Sequence, residues 1–173
     1  MKVSDLYGLV GSHLLEAIGP EPDDLPLPPI RPDSRQVRPG DGFLALPGGR
    51  THGAEFIADA LGRGARLVLT GRISAADGDL ARRLGARVWV LDDPLAAIQE
   101  AARAWRERLG VRVVGITGSV GKTTTKEAVA AVLGERYRVL KSPGNLNTEV
   151  SLPLTLLSLG PEHQVAVLEM GMY

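Results

Sequence analysis

Gly118-Ser119-Val120-Gly121-Lys122-Thr123-Thr124 brings two glycines, a lysine and paired threonines into one short run. That combination suits the capture of a phosphate chain. Backbone N–H groups can converge on a phosphate only where no Cβ stands in the way, and Gly118 and Gly121 leave that space open. A helix opening at Lys122 would turn its positive end toward the same anion. Lys122 then offers a point charge to the β- and γ-phosphates of a nucleotide, and the Thr123 hydroxyl can ligate Mg2+. The strict pattern G-x-x-x-x-G-K-[ST] would need Gly where Ile116 stands, so this turn is a variant of it. A bare G-x-x-G usually marks only a tight connection; the Lys-Thr-Thr and the flanking strand and helix point instead to phosphate binding.

Glu169 closes an apolar run at 165–168 and is the second candidate. A carboxylate at the carboxyl end of a parallel strand faces the ligand crevice, where it can hold the Mg2+ that bridges nucleotide phosphates. It reads alternatively as a solvated strand end, and the phosphate turn upstream favours the metal role. Lys126 and Glu127 follow on the same helix and read at least as readily as ordinary solvated residues.

The elements that must position these groups are an apolar strand over 111–116, a helix over 122–133 ended by Gly134 at C′, and a strand over 138–141. After them come a turn-rich loop at 142–147, a short helix at 152–159 and a buried strand at 165–170. Upstream, strands are predicted at 42–46, 66–70 and 87–91, alternating with helices at 54–61, 79–84 and 94–109. The last helix has Pro94 at its first position, and Leu95, Ile98, Ala102, Trp105 and Leu109 recur along one face, so Trp105 is expected in the core. Ser4 is a candidate cap for an N-terminal helix with Leu6, Leu9, Val10, Leu14 and Ile18 on its apolar face, weakened by Gly8 and Gly11. Residues 19–32 hold six of the twelve prolines and form a connecting arm. The alternation of strands and helices implies an α/β fold: a small N-terminal βαβ domain at 1–109, then an incomplete parallel-sheet domain built on the phosphate turn at 110–173.

Composition sets the outer limits. Of 173 residues, 44% are hydrophobic and 23% charged, which suits a globular chain rather than a disordered one. Twenty basic residues cancel twenty acidic ones, so no overall field draws the chain to nucleic acid or to an acidic membrane. Cysteine is absent, which excludes a disulfide scaffold, a thiolate metal site and a Cys nucleophile. The first ten residues carry Ser4 and Asp5 where an export signal needs apolar residues, and no run approaches the ~18 apolar residues of a membrane span. A soluble cytoplasmic protein is expected. A piece as small as 110–173 buries only ~60% of its unfolded surface, and its strands call for helical cover on both faces, so a fragment of a longer protein is expected.

Gly115-Ile116-Thr117-Gly118-Ser119-Val120-Gly121-Lys122-Thr123-Thr124 resembles the ATP-binding loop of the Mur ligases of peptidoglycan synthesis, which also lacks the first Gly of the strict pattern. Thr125-Lys126-Glu127, Gly144-Asn145-Leu146-Asn147 leading into Leu152-Pro153-Leu154-Thr155-Leu156-Leu157, and Leu168-Glu169-Met170-Gly171 resemble the branch of that family that adds D-alanyl-D-alanine to a UDP-N-acetylmuramoyl-tripeptide. Asp33-Ser34-Arg35, Gly40-Asp41-Gly42-Phe43-Leu44-Ala45-Leu46, Gly48-Gly49-Arg50 and Gly53-Ala54-Glu55-Phe56-Ile57 resemble the family's N-terminal domain. The likeness runs from about Asp33 to the end.

The resemblance implies ATP-driven amide formation through an acyl phosphate, with ATP and Mg2+ as cofactors and the UDP-linked tripeptide and D-alanyl-D-alanine as substrates. It assigns nucleotide contacts to Thr117, Gly118, Ser119, Val120, Gly121, Lys122, Thr123 and Thr124, catalytic roles to Lys122 and Glu169, and metal ligation to Thr123 and Glu169. Substrate contacts fall on Ser34, Arg35, Asn145, Asn147 and Thr148, although Asp33-Ser34-Arg35 reads equally as a turn with an ion pair. Thr148 stands where the family usually has a second Asn, and Ser151 where it has Gly; His52, where Asp is common, reads as a surface loop residue. A monomer is expected, with no nucleic-acid partner and no membrane insertion. A full-length member continues with a second metal site and a domain for the amine donor, so these residues alone are not expected to ligate. Two other readings stay open: another amide ligase of the superfamily, such as the diamino-acid-adding ligase or folylpolyglutamate synthetase, and a nucleotide-binding switch that ligates nothing.

Overall fold

The computed structural model describes residues 1–49 and 51–171. Arg50, part of the Gly48-Gly49-Arg50 resemblance, and the last two residues lie outside them. The chain forms two compact units, Met1–Glu100 and Ala101–Tyr173, whose division falls inside a helix upstream of Gly110.

The first unit carries β1 (Leu14–Ile18), β2 (Ile30–Arg31), β3 (Gly42–Ala45), β4 (Leu67–Thr70) and β5 (Arg87–Leu91), in the spatial order β1-β5-β4-β3-β2. β2 to β5 run parallel, and β1 lies antiparallel on β5. β3 and β4 are buried at every position, which is why they read as unbroken apolar runs. Helices α2 (Ile57–Gly62) and α3 (Ala75–Leu84) supply Ile57, Ala60, Leu61 and Ala81 to a cluster with Phe43, Ala45, Val68 and Val88. Trp89, fully buried, meets Tyr7 of α1 (Val3–Leu9) edge to face at 5.1 Å.

The N-terminus departs from expectation. The helix stops at Leu9, and Leu14–Ile18 is a strand, with Ala17 opposite Trp89 and Ile18 opposite Val88. Helical spacing of the apolar residues loses here to pairing with a long-range partner and to the glycines at 8 and 11. Ser4 is not the cap either. Asp5 accepts from the Lys2 amide at the helix start, while the Ser4 hydroxyl donates to Asp24 at 2.6 Å and so ties down the proline-rich arm. The arm ends in the two-residue edge strand β2, where proline is tolerated. Gly19, at φ +95°, ends β1 against the next strand: a Cβ there would lie 2.1 Å from the Ala86 carbonyl oxygen.

His13 sits between two carboxylates. Its Nδ1 is 2.7 Å from Asp92 and its Nε2 3.2 Å from Glu100, so both ring nitrogens meet acceptors only when the imidazole is charged. Hydrogen bonds to Asp92 and then Glu100 raise its pKa above 6.5. A raised folded-state pKa gives stability that is complete below the ordinary value and is lost as pH climbs through the higher one. Urea denaturation is therefore expected to show a stability decrease as pH rises above the ordinary histidine value of 6.5 that His13→Gln abolishes. An identical pH dependence in the variant would refute the assignment.

The second unit holds a three-stranded parallel sheet in the order β6-β8-β7, with β6 at Arg112–Ile116, β7 at Val139–Lys141 and β8 at Val165–Glu169. Helix α5 (Lys122–Gly134) lays Ala130 against Val165 and Val167. Gly134 belongs to the helix and has no positive φ, contrary to its expected place at C′. The part of helix α4 (Pro94–Leu109) that belongs to this unit carries Trp105, which is buried as expected and donates from Nε1 to the Leu159 carbonyl at 2.9 Å. Helix α6 (Ser151–Leu157) precedes β8.

Candidate nucleotide-phosphate site

β6 ends at Ile116, beside Glu169 of β8 in the parallel register, and the chain turns through 117–121 into α5. Gly118 at φ +140° and Gly121 at φ +79° occupy backbone conformations closed to most L residues, so the turn needs both. Thr117, Ser119, Val120, Gly121 and Thr124 are exposed along it, with Val120 90% exposed at its tip. The Lys122 ammonium folds back to donate to the Gly118 carbonyl at 2.8 Å. A phosphate entering the turn displaces that hydrogen bond to take the lysine.

Glu169 is no solvated strand end; it is 2% exposed. Its Oε2 accepts from the Thr123 hydroxyl at 2.8 Å, its Oε1 from Asn147 Nδ2 at 2.9 Å, and its amide donates to Ser142 Oγ at 2.9 Å. The Thr123 hydrogen bond, with smaller help from Asn147, Lys126 and Lys122, holds the carboxyl below its ordinary pKa against the opposing effect of burial. Thus the two expected metal ligands, Thr123 and Glu169, are brought together as a hydroxyl and an ionised carboxylate. Among the described residues, no three His, Cys, Asp or Glu side chains cluster as a metal site.

Asn147 joins the site, and its carbonyl accepts from the Gly171 amide at 2.8 Å. Asn145 is exposed on the preceding turn. Thr148 and Ser151 act on each other. Thr148 Oγ1 accepts from the Ser151 amide at 3.1 Å, Ser151 Oγ accepts from the Thr148 amide at 3.0 Å, and the Leu152 amide bonds the Thr148 carbonyl. This reciprocal pair closes the turn that leads into α6.

The remaining candidates belong to the first unit. Ser34 is buried, and its hydroxyl bonds Asp59, holding that carboxyl below the usual range. The Arg35 side chain is exposed and chelates Asp33 through Nε at 2.9 Å and Nη2 at 2.7 Å, the turn with an ion pair. His52 accepts from the Ala54 amide and caps a short 3-10 turn at Gly53–Phe56.

The description "Mur ligase family, catalytic domain" matches residues 30–119, and "Mur ligase middle domain" matches residues 116–173. The chain belongs to the Mur ligase family. It is 41% identical over 150 residues to a UDP-N-acetylmuramoyl-tripeptide–D-alanyl-D-alanine ligase of Synechocystis sp., covering 87% of this chain and 32% of that protein. The Bacillus subtilis ligase of the same name is 41% identical over 143 residues, covering 83% and 30%. Among solved structures, MurF from Acinetobacter baumannii superposes with a TM-score of 0.76 at 30% identity, over 99% of this chain and 36% of that one. MurF ligase from Thermotoga maritima in complex with ADP gives a TM-score of 0.66 at 35% identity, over 83% and 32%. This Mur ligase chain thus spans about a third of the length of the curated relatives it matches.

One residue of this Mur ligase site corrects the reading from sequence. Lys126 is fully buried, donating from Nζ to the carbonyls of Ser142 at 2.9 Å and Gly144 at 2.6 Å, with Glu127 Oε1 at 3.3 Å. Glu127 is exposed, as expected, and also bridges to Lys141. The missed signal was spacing: Lys126 lies one turn after Lys122 and so shares its helix face. Ser142, buried among backbone groups, had no such signal.

Proposed function

We infer that these residues form the nucleotide-phosphate site and the first substrate-binding part of an ATP-dependent ligase that joins D-alanyl-D-alanine to a UDP-N-acetylmuramoyl-tripeptide. The observation that carries this reading is the Thr123 hydroxyl held 2.8 Å from the buried Glu169 carboxylate beside the Gly118–Gly121 turn. Two hard oxygen donors, only one of them charged, suit Mg2+, which keeps several waters and takes its remaining ligands from phosphates. When bound there, Mg2+ would neutralise charge on the β- and γ-phosphates.

The chain's own groups do the rest. Lys122 leaves the Gly118 carbonyl for a phosphate oxygen, and the amides of 118–123 meet the phosphate chain at the positive end of α5. A tripeptide carboxylate oxygen then attacks the γ-phosphorus and ADP departs, giving an acyl phosphate. The amine of D-alanyl-D-alanine displaces phosphate from it, losing a proton and leaving the amide. Asn145, Asn147 and Thr148 face the incoming substrate in this reading. Residues 1–109, with Ser34 and Arg35, serve as the UDP-sugar-peptide domain, and 110–173 open the ATP-binding domain. The reading implies a cytoplasmic monomer that binds no nucleic acid. Among the described residues no helix is long and apolar enough to cross a membrane.

Calorimetric titration of this chain with ADP, with and without Mg2+, tests the assignment. Saturable binding that tightens when Mg2+ is added is expected. A titration with no saturable heat in either condition would sink it.

A further inference from the structure

Lys126 has no role in the chemistry above, yet it is the one lysine of the site taken wholly out of water. Burying an ammonium is costly unless every donor is met. Its environment meets that demand with two backbone carbonyls and a carboxylate, all from groups that lead to the site. The Ser142 and Gly144 carbonyls it holds flank Pro143, whose carbonyl accepts from the Leu146 amide and shapes the turn before Asn147. Ser142 is tied to β8 twice, its amide donating to the Val167 carbonyl at 3.1 Å and its hydroxyl accepting from the Glu169 amide. A single buried charge on α5 thereby fixes the segment that holds the Glu169 amide and leads to Asn147, the two groups that meet at the Glu169 carboxylate beside Thr123.

We propose that Lys126 is the positioning residue of the site: acting through the 142–144 turn, it sets Glu169 and Asn147 in register with Thr123 and the phosphate turn. The lysine touches neither nucleotide nor reacting atoms. Its work is to join α5, which carries the phosphate turn, to the loop and strand end that carry Glu169 and Asn147. Had α5 offered an apolar side chain here, the two carbonyls would lack a donor and the turn would be free to shift against β8. The proposal deepens the nucleotide reading and rests on it for the metal-linked part of its test.

Two variants probe it in this chain. Lys126→Met keeps the length of the side chain and removes the ammonium; Ser142→Ala leaves the ammonium and removes the hydroxyl that holds Glu169. Amide hydrogen exchange resolved by residue is the first readout, and it needs no nucleotide. Both variants are expected to speed exchange at Glu169 by about tenfold or more while the amides of β6 and of α5 around Ala130 keep their rates. The double variant is expected to be no worse than the more affected single one, because both act on one path. Lys126→Arg, which keeps a charged donor, is expected to restore part of the protection. An unchanged Glu169 rate in Lys126→Met, or acceleration spread evenly over the sheet, would overturn the proposal. If Lys126→Met does not fold, Ser142→Ala and Lys126→Arg decide by the same comparison.

The second readout is ADP affinity with and without Mg2+. Lys126→Met is expected to lose most of the tightening that Mg2+ brings while metal-free affinity changes less than about twofold; equal weakening in both conditions counts against a positioning role. Should the unsubstituted chain bind no nucleotide, the reading under Proposed function fails, and the exchange comparison alone decides the role of Lys126.

Discussion

Lys122→Ala is expected to weaken ADP and ATP binding at least tenfold, with the fold intact. Each charge-assisted hydrogen bond from the ammonium to a phosphate oxygen is worth about 1.5–3 kcal/mol. Against this stands the contact surrendered on binding, the bond from Lys122 to the Gly118 carbonyl. That bond is charge-assisted too, and with its neutral acceptor it sits at the low end of the same range, about 1.5 kcal/mol, so two phosphate contacts of at least about 1.5 kcal/mol each still leave a balance of about the ~1.4 kcal/mol that separates tenfold steps in affinity. Stability is not expected to suffer, because alanine is the strongest helix former and position 122 opens α5. Calorimetry supplies the affinity and a thermal melt supplies the control. A melt like the parent's with undiminished affinity would remove the phosphate assignment.

Glu169→Ala is expected to be more damaging to turnover than to folding. In a full-length ligase carrying these residues, loss of the charged oxygen opposite Thr123 is expected to lower kcat/KM by about two to three orders of magnitude, the range seen when one preorganised electrostatic partner is removed from a transition state. Glu169→Gln sharpens the test. The amide keeps the size and can still accept from Thr123, but it carries no charge for a divalent cation. Both variants are expected to lose activity alike, and steady-state rates near the parent's in Glu169→Gln would exclude the metal role. Acid sensitivity follows with a defined sign. The Glu169 carboxyl is held below its ordinary value of 4.5, so its contribution to stability is present above that pH and is lost as pH falls through the lower folded value.

The phosphate turn is legible in the amino-acid sequence because its demands are local. Gly118 and Gly121 stand where φ is positive, and Lys122 and Thr123 sit at the helix start that the pattern requires. The inner strands are equally legible, since β3 and β4 are covered on both faces and carry no polar alternation to confuse the period. Where sequence and fold part company, a distant partner decides. Leu14 and Ile18 fit a helix by spacing, but β5 claims them as a strand. Lys126 reads as solvated because lysine on a helix usually is; the acceptors that bury it lie 16 and 18 residues downstream, and only the fold brings them over α5. Thr148 and Ser151 stand out as departures from the family pattern when taken singly, and the structure joins them as one reciprocally bonded turn.

The order β6-β8-β7 carries a consequence for synthesis on the ribosome. The middle strand of the second sheet is the last of the three to emerge. Until Val165–Glu169 has cleared the exit tunnel, β6 and β7 have no neighbour to pair with, although the strand that feeds the phosphate turn was translated some fifty residues earlier. In the first unit β2, β3 and β4 each find a neighbour as they emerge, and only β1 waits, until β5 is complete at Leu91. Nascent protein therefore passes through an interval in which one module is finished and the other is a string of apolar segments awaiting a template, and it is in that interval that chaperone capture and proteolytic loss would be concentrated.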